Sequence, residues 1–595
     1  MPIKDGFEYR DLNKNGRLDP YEDTRLPIQE RVEDLLSQMT VAEKAGLLMH
    51  AMIMPGDFDA APPFGPPLTP RTLLSKRHIT HFNILFAPSA QETAVWHNQL
   101  QKLAEESRLG IPVTLSTDPR HSVQNNPGAA LSMPGFSLWP DPMGFGAIGD
   151  EVVVKQFGDM ARQEYTAVGI RTALHPMADL ATEPRWARMN GTFGENAELA
   201  GKLTAAYIRG FQGEGQGKEY VSCMVKHFPG GGPQKDGLDA HFGYGRDQVY
   251  PGNNFAYHLR PFEPAFAENV QQVMPYYGVL VGQTGEEVAI GYNKEIITDL
   301  LRGRYGFTGI VCTDWGIVEA GGAGMEARAW GVEHLSIKER YLKTLDAGID
   351  QYGGQNNLQP LIDLVQEGSL DEARLDQSVR RLLTLKFQMG LFDNPYVDET
   401  AVSLKIGTSA FIAAGELAQR KSVVLLKNDG LLPLNGRFKL YVENIPSEIA
   451  AQYGEVVETP AEADYAILRL NTPHGPPLSE DFLENFFHQG DLDFKEPEKQ
   501  RILNILNTVP TIVDIYLERA AVIPEIAEAS SGLLATFSVA PEAILDIIFG
   551  KFNPSGKLPI ELPSSMEAVA NQREDMPSDS PNPLFPFGFG LSYNK

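Results

Sequence analysis

Several apolar runs in this 595-residue chain end abruptly on a polar side chain, and the residue types found there can do chemistry. Asp118 follows IPVTLST, Lys226 and His227 lie at the end of VSCMVKHF, Tyr277 closes VMPYY, and Asp314 follows TGIVCT. A carboxylate, an ammonium, an imidazole and a phenol accept, donate and move protons once something brings them together. One polar strand end is ordinary solvation; four such ends carrying five such side chains point to a shared face. Glu183, Arg185 and Trp186 follow IRTALHPMADL in the same way. No run carries His-x-His or another clustered ligand set, so a metal-dependent hydrolase site has no support.

A second constellation stands apart. Residues 11–22, DLNKNGRLDPYE, satisfy D-x-[DN]-x-[DN]-G-x5-E completely. Asp11, Asn13, Asn15, the carbonyl of Arg17, Asp19 and Glu22 would supply oxygens to Ca2+, with Gly16 at the sharp turn. Pro20 and the short N-terminal stretch leave little room for the flanking helices of a sensor, so a lone structural calcium loop is expected, the alternative being an Asn/Gly turn with no ion. Such a site hints at a periplasmic or extracellular setting.

The elements that must position these residues follow from periodicity. From about residue 70 to 355 one theme repeats: an amphipathic helix, a Gly, a short apolar run, a polar cluster. SAQETAVWHNQLQKLAEESRLG before IPVTLST is one instance, and a helix over 151–168 stopped by Gly169 before IRTALHP is another. Strands alternating with helices imply parallel βα units, and this many before any break imply a (β/α)8 TIM-like barrel, whose catalytic face lies at the strand C-termini. Periodicity is lost around 391–407, which reads as a linker. SVVLLKND, FKLYVENI, ADYAILRLN, TIVDIYL and SGLLATFSV then form a second α/β domain, a three-layer αβα sandwich. The organisation expected is an N-terminal extension with the calcium loop (1–30), the barrel (31–390), the linker (391–407) and the sandwich (408–595).

Composition narrows the function classes. A net charge of −26 repels phosphate, which disfavours nucleic acid, and no stretch reaches the ~18 apolar residues of a membrane span. No G-x-G-x-x-G opens a helix after the first sandwich strand, so dinucleotide binding has no support. Cys223 and Cys312 lie inside apolar runs, as packing residues would. MPIKDGFEYR lacks the apolar core of a signal peptide. A periplasmic or secreted location is expected if such a peptide has been removed, a cytoplasmic one otherwise. The oligomeric state is left open, a homodimer being one of the states allowed.

ERVEDLLSQMTVAEKAGLL, STDPRHS, EPRWARMNGTFGEN, KHFPGGG, VMPYYG, IVCTDWG, KSVVLLKNDGLLPL, NPSGKLPIELP and FPFGFGLSY, in this order, resemble the successive signatures of glycoside hydrolase family 3. They span residues 30 to 593, and their order makes the resemblance specific. It implies an exo-acting, retaining β-glycosidase, a β-glucosidase in the first instance, with no catalytic cofactor and with a pocket for one terminal sugar of a β-linked substrate. Asp314 matches the nucleophile that forms the glycosyl-enzyme. Asp118, Arg185, Lys226, His227 and Tyr277 match residues that ring the sugar, Asp118 accepting from hydroxyls and Arg185, Lys226 and His227 donating. Trp315 would supply an apolar wall or simply core. Arg185 has a second option, pairing with Glu183 or Glu195.

The acid/base departs from the pattern. The family branch with KHFPGGG is expected to carry a Glu on a second-domain loop in a stretch like T-P-F-E-P-R, and here that stretch reads LNTPHGPPLSEDFLENFFHQGDLDF, with Gly475 at the matching position. Glu480, Asp481 or Glu484 would have to take over, Glu480 being preferred. The alternative is His241, oriented by Asp239, as in the family's N-acetylglucosaminidase branch, though about two residues further from Lys226; His474 is a weaker choice. Gly475 also leaves room for a transglycosidase or phosphorylase, or for a sugar-binding pseudoenzyme.

Overall fold

The computed structural model describes residues 3–4, 6–61, 67–126, 130–320 and 326–593. Eight strands form the first sheet: β1 (Met49–Ile53), β2 (His81–Ile84), β3 (Thr114–Thr117), β4 (Ile170–Ala173), β5 (Ser222–Phe228), β6 (Gln272–Pro275), β7 (Ile310–Val311) and β8 (Tyr352–Gly353). Their order is β7-β6-β5-β4-β3-β2-β1-β8, every pair parallel. A parallel bridge between Cys312 and Gln351, with Thr313 N–H donating to Gln351 O at 2.9 Å, joins β7 to β8 and closes the ring. The expected barrel is therefore present.

The strands read as continuous apolar runs because both faces are covered; every residue of Ser222–Phe228 is buried. The helices between them carry the expected caps. Asp150 accepts from Val152 N–H at the start of helix Glu151–Ala167. Gly169 just beyond that helix has φ +87°, and a Cβ there would lie 2.4 Å from the His97 ring, so only glycine fits. At the starts of β2 and β3, Lys386 Nζ from helix Glu372–Gln388 donates to Thr80 O (3.1 Å), Pro112 O (2.8 Å) and Thr114 Oγ1 (2.8 Å). Leu174, Met224, Met274 and Cys312 form an apolar layer under Trp315. Both cysteines are free and buried, serving packing.

The second domain has six strands: β9 (Val424–Asn428), β10 (Lys439–Glu443), β11 (Glu455–Val456), β12 (Tyr465–Asn471), β13 (Thr511–Tyr516) and β14 (Gly532–Thr536). Their order is β9-β14-β13-β12-β10-β11, parallel except for β9. Alternate residues face opposite layers, as a period of two requires. Leu440, Ile467, Ile512 and Leu534 pack on helix Pro541–Ile548, while Leu468, Val513, Ile515 and Leu533 belong to the core that holds helix Glu498–Thr508 and continues into the barrel. This is the expected sandwich.

Residues 391–407 do not hang free between the two. Asn98 Nδ2 donates to Val397 O (2.9 Å), Val397 N–H donates back to Asn98 Oδ1 (3.0 Å), and Gly407 N–H donates to Glu164 Oε1 (2.7 Å). The segment lost periodicity because it is strapped across two barrel helices, Ala90–Glu105 and Glu151–Ala167, and it includes a short helix at Val402–Lys405.

Candidate active site

Asp314 lies just beyond β7, and its two oxygens meet different surroundings. Oδ1 accepts from Tyr277 Oη and from Trp315 N–H, both at 2.8 Å. Among the described residues Oδ2 is buried without a hydrogen bond, its nearest cation-forming neighbour being His227 Nε2 at 3.7 Å. An unsatisfied buried polar atom costs about 1–3 kcal/mol and is tolerated where something else is meant to meet it. Burial pushes the Asp314 carboxyl up, but His227, His241, Arg188 and Lys226 outweigh it and hold it below the usual range. Asp314 is ionised, with one oxygen fixed and one free.

Around it, Lys226 Nζ donates to Asp118 Oδ1 at 2.9 Å, across from β5 to the end of β3. Burial would raise the Asp118 carboxyl, but Lys226, Arg120 and Arg188 keep it low and charged. His227 has Asp179 Oδ2 at 2.8 Å from Nδ1 and Arg188 Nη1 at 3.1 Å from Nε2. Asp179 Oδ2 can only accept and Arg188 Nη1 can only donate, which puts the ring proton on Nδ1, and burial lowers the pKa of the ring from its ordinary value. Nε2 is therefore an acceptor, which corrects the expectation that His227 donates. Trp315 packs on Gly353 and Gly354, where an added Cβ would lie 2.7 and 2.9 Å from the indole, and its Nε1 is buried without a partner among the described residues.

Arg185 is not in this group. Its Nε and Nη2 donate to Glu183 at 2.8 and 3.0 Å, and its Nη1 lies 3.6 Å from Asp236. Arg188, which sequence reasoning missed, is the buried guanidinium here, beside His227. A signal was available: Arg185 has Glu183 two residues away to satisfy it, whereas Arg188 has no acid within four residues and must find distant partners.

The two acid/base candidates fall in different places. His241 is on the loop after β5, half-buried, with Nδ1 2.6 Å from Asp239 Oδ1. Asp239 Oδ2 accepts from Trp186 Nε1 (2.8 Å) and Tyr276 Oη (2.9 Å), which fixes that carboxylate. The His241 ring lies 4.6 Å from the Tyr277 ring and 4.6 Å from Phe487 of the second domain. Nε2 has no hydrogen bond among the described residues. Glu480 is exposed and makes no hydrogen bond or ion pair with any described residue. Its loop is organised by Glu484 instead, which accepts from Tyr244 Oη (2.7 Å), Ser479 N–H (2.8 Å) and Leu478 N–H. Gly475 is at the neck of that loop, its N–H donating to Gln489 O at 2.7 Å, and Gln489 Oε1 accepts from Asp239 N–H at 2.9 Å. Asp481 caps a helical turn and His474 stacks on His488, neither touching the cluster.

At the N-terminus, Asp11, Asp19 and Glu22 draw the calcium-type loop together. Asp11 accepts from the N–H groups of Asn15 (3.1 Å) and Gly16 (3.0 Å), and Glu22 Oε1 accepts from Leu12 N–H (2.6 Å). Asn13 Nδ2 and Asn15 Nδ2 both donate to Asp19 Oδ2, at 2.5 and 2.7 Å.

The same two-domain architecture is found among known proteins. The solved structure of a mutant β-glucosidase from Listeria innocua in complex with laminaribiose superposes with a TM-score of 0.77 over 95% of this chain and 83% of that one, at 24% identity, a likeness of fold. "Beta-glucosidase C" of Emericella nidulans is 46% identical over 593 residues, covering 98% of this chain and 95% of its own. "Periplasmic beta-glucosidase/beta-xylosidase" of Dickeya chrysanthemi is 41% identical over 612 residues, covering 99% and 94%. The family models for the Glycosyl hydrolase family 3 N terminal domain and C-terminal domain match residues 70–385 and 440–593, the barrel with its ionised Asp314 and the sandwich whose Phe487 covers His241. The chain belongs to glycosyl hydrolase family 3.

Proposed function

We propose that this glycoside hydrolase is an exo-acting, retaining β-glucosidase. The observation that carries the reading is the asymmetry of Asp314: an ionised carboxylate with Oδ1 held by two donors and Oδ2 unpaired. Oδ2 attacks the anomeric carbon of the terminal sugar, the glycosidic bond breaks, and its electron pair leaves on the aglycone oxygen, which takes a proton from His241 Nε2. Water then gives a proton back to Nε2 as its oxygen attacks the same carbon, freeing Asp314 and retaining the configuration. Asp239 orients the imidazole and favours its charged form in each step. Lys226 and Arg188 donate to sugar hydroxyls and Asp118 accepts, while His227 Nε2, whose one lone pair is taken by Arg188 Nη1, holds that guanidinium in place. We assign the proton to His241 rather than Glu480, because His241 contacts Tyr277 on the nucleophile and Glu480 faces solvent. The names of the relatives support glucose as the sugar. The ionised Asp314 argues against a pseudoenzyme, and nothing in the site favours phosphate over water.

A fluorinated mechanism-based glucoside is expected to label the peptide carrying Asp314, and Asp314→Asn to remove nearly all turnover. Labelling elsewhere, or full activity in the Asn variant, defeats the assignment.

We also propose that residues 11–22 hold a structural calcium ion. Two amide donors converging on Asp19 Oδ2 stand where a cation fits, and turning both amides over presents Asn13 Oδ1 and Asn15 Oδ1 to the same point. With the carboxylates of Asp11, Asp19 and Glu22 and the Arg17 carbonyl, the donor set is hard and all oxygen, as Ca2+ requires.

A further inference from the structure

One guanidinium reaches three of the loops around the reacting groups. Arg328 follows β7 and is 3% exposed. Its Nε donates to His241 O at 3.1 Å, on the loop after β5. Its Nη1 donates to Trp315 O at 3.0 Å, the residue next to Asp314, and its backbone N–H donates to Gly316 O at 3.0 Å. The guanidinium carbon lies 5.0 Å from the centre of the Tyr277 ring, after β6, and that Tyr277 hydroxyl touches both Asp314 Oδ1 and Trp315 O at 2.8 Å. Two residues on, Trp330 Nε1 donates to Ala240 O at 2.9 Å, fixing the same segment to the His241 loop a second time.

We propose that Arg328 is a positioning residue for the hydrolysis: by holding the His241 and Trp315 carbonyls and the face of Tyr277, it sets the spacing between the proton donor and the nucleophile. The proposal rests on the reading of His241 as proton donor. A planar fork can hold two carbonyls and stack on a ring at once, which a lysine ammonium cannot. Retention of configuration demands a narrow separation, ~5–5.5 Å in carboxylate pairs, so a device fixing both loops to one rigid group acts on the reaction itself. The same cation also faces His241, as do Arg188 after β4, Tyr276 and Tyr277 after β6, Asp314 after β7 and Asp239 on its own loop; Phe487 from the sandwich is uncharged. Removing the cation lets His241 keep its proton to higher pH.

The test compares Arg328→Lys and Arg328→Met with wild type on a disaccharide and an activated aryl β-glucoside, across pH, with Asp314 labelling by a dinitrophenyl fluoroglucoside as a third readout. Both variants are expected to lose roughly 10²-fold in kcat on the disaccharide, as a misplacement of about 1 Å would cause, with KM moving less than about threefold. The loss on the aryl substrate should be smaller. The alkaline limb of kcat/KM should move to higher pH in the Met variant and stay in place in the Lys variant, which keeps the charge and is the informative protein if the Met variant does not fold. Wild-type kcat on both substrates, or an equal loss on both with an unmoved limb, overturns the proposal. If His241→Ala does not distinguish the two substrates, the His241 reading falls by itself. Labelling of Asp314 then decides for Arg328: at least about tenfold slower labelling sustains its hold on the nucleophile, and an unchanged rate ends it.

Discussion

Burial pulls the pKa of His241 down to about 4, joined by Arg188 and Arg328 and opposed by Asp239, so at neutral pH its imidazole is mostly neutral. A general acid must carry its proton, and kcat/KM reports the free enzyme. For a disaccharide, kcat/KM is therefore expected to fall about tenfold per pH unit above the His241 value, while the limb on the acid side reflects Asp314, held below the usual carboxylate range. A dinitrophenyl glucoside, whose leaving group needs no proton, should show no such alkaline limb. His241→Ala is expected to cost roughly 10²–10⁴-fold on the disaccharide and far less on the aryl glucoside, with azide restoring turnover of the latter by attacking the glycosyl-enzyme without a base. A disaccharide rate unchanged by that substitution would remove His241 from the mechanism.

At the scale of elements, what the sequence made legible is what local pattern encodes. Asp118, Lys226, His227, Tyr277 and Asp314 could be singled out as candidates because each lies at or just beyond the end of a buried strand, and the barrel puts all strand ends on one face. Arg188 could not, since it sits in a long irregular connection between β4 and helix Ala197–Gln212 and its partners come from elsewhere in the chain. The sequence leaves the acid/base between Glu480 and His241 for a related reason: spacing says a loop holds Glu480 and Glu484 but not which one turns inward. Glu484 is the buried one, accepting from Tyr244 across the domain boundary, while Glu480 points to water. Glu480→Ala is accordingly expected to change stability by no more than about 0.5 kcal/mol and to leave both substrates' rates alone. Glu484→Ala should cost about 1–3 kcal/mol by stranding the Tyr244 hydroxyl and the loop's N–H groups, read as a lower melting temperature. A selective loss of disaccharide hydrolysis in the Glu480 variant would restore the original expectation.

At the scale of the whole molecule, the N-terminal loop belongs to the barrel's fastening. Lys14 Nζ donates to Ser107 O at 2.7 Å, beyond the end of helix Ala90–Glu105; Arg10 Nη1 donates to Phe392 O at 2.7 Å; and Arg31 pairs with Asp393 at 2.7 Å, where the strap toward the second domain begins. Asp19 and Glu22 repel each other within the loop, and a divalent cation would turn that repulsion into a cross-link between the first helices, the barrel wall and the strap. Because folding creates the site, bound calcium stabilises by mass action, about 2.7 kcal/mol at a hundredfold excess over Kd. Metal analysis of protein purified without chelator should find about one calcium per chain. EDTA should lower the melting temperature by a few degrees, at about 2–4 °C per kcal/mol or less for so long a chain, and calcium should restore it. Asp11→Ala should reproduce the EDTA value and abolish the response to calcium, while kcat at a temperature where the protein stays folded is unchanged, since no side chain of the loop reaches Asp314. A metal-free protein indifferent to EDTA would mean that the Asn13 and Asn15 amides hold Asp19 by themselves and that residues 11–22 are a turn.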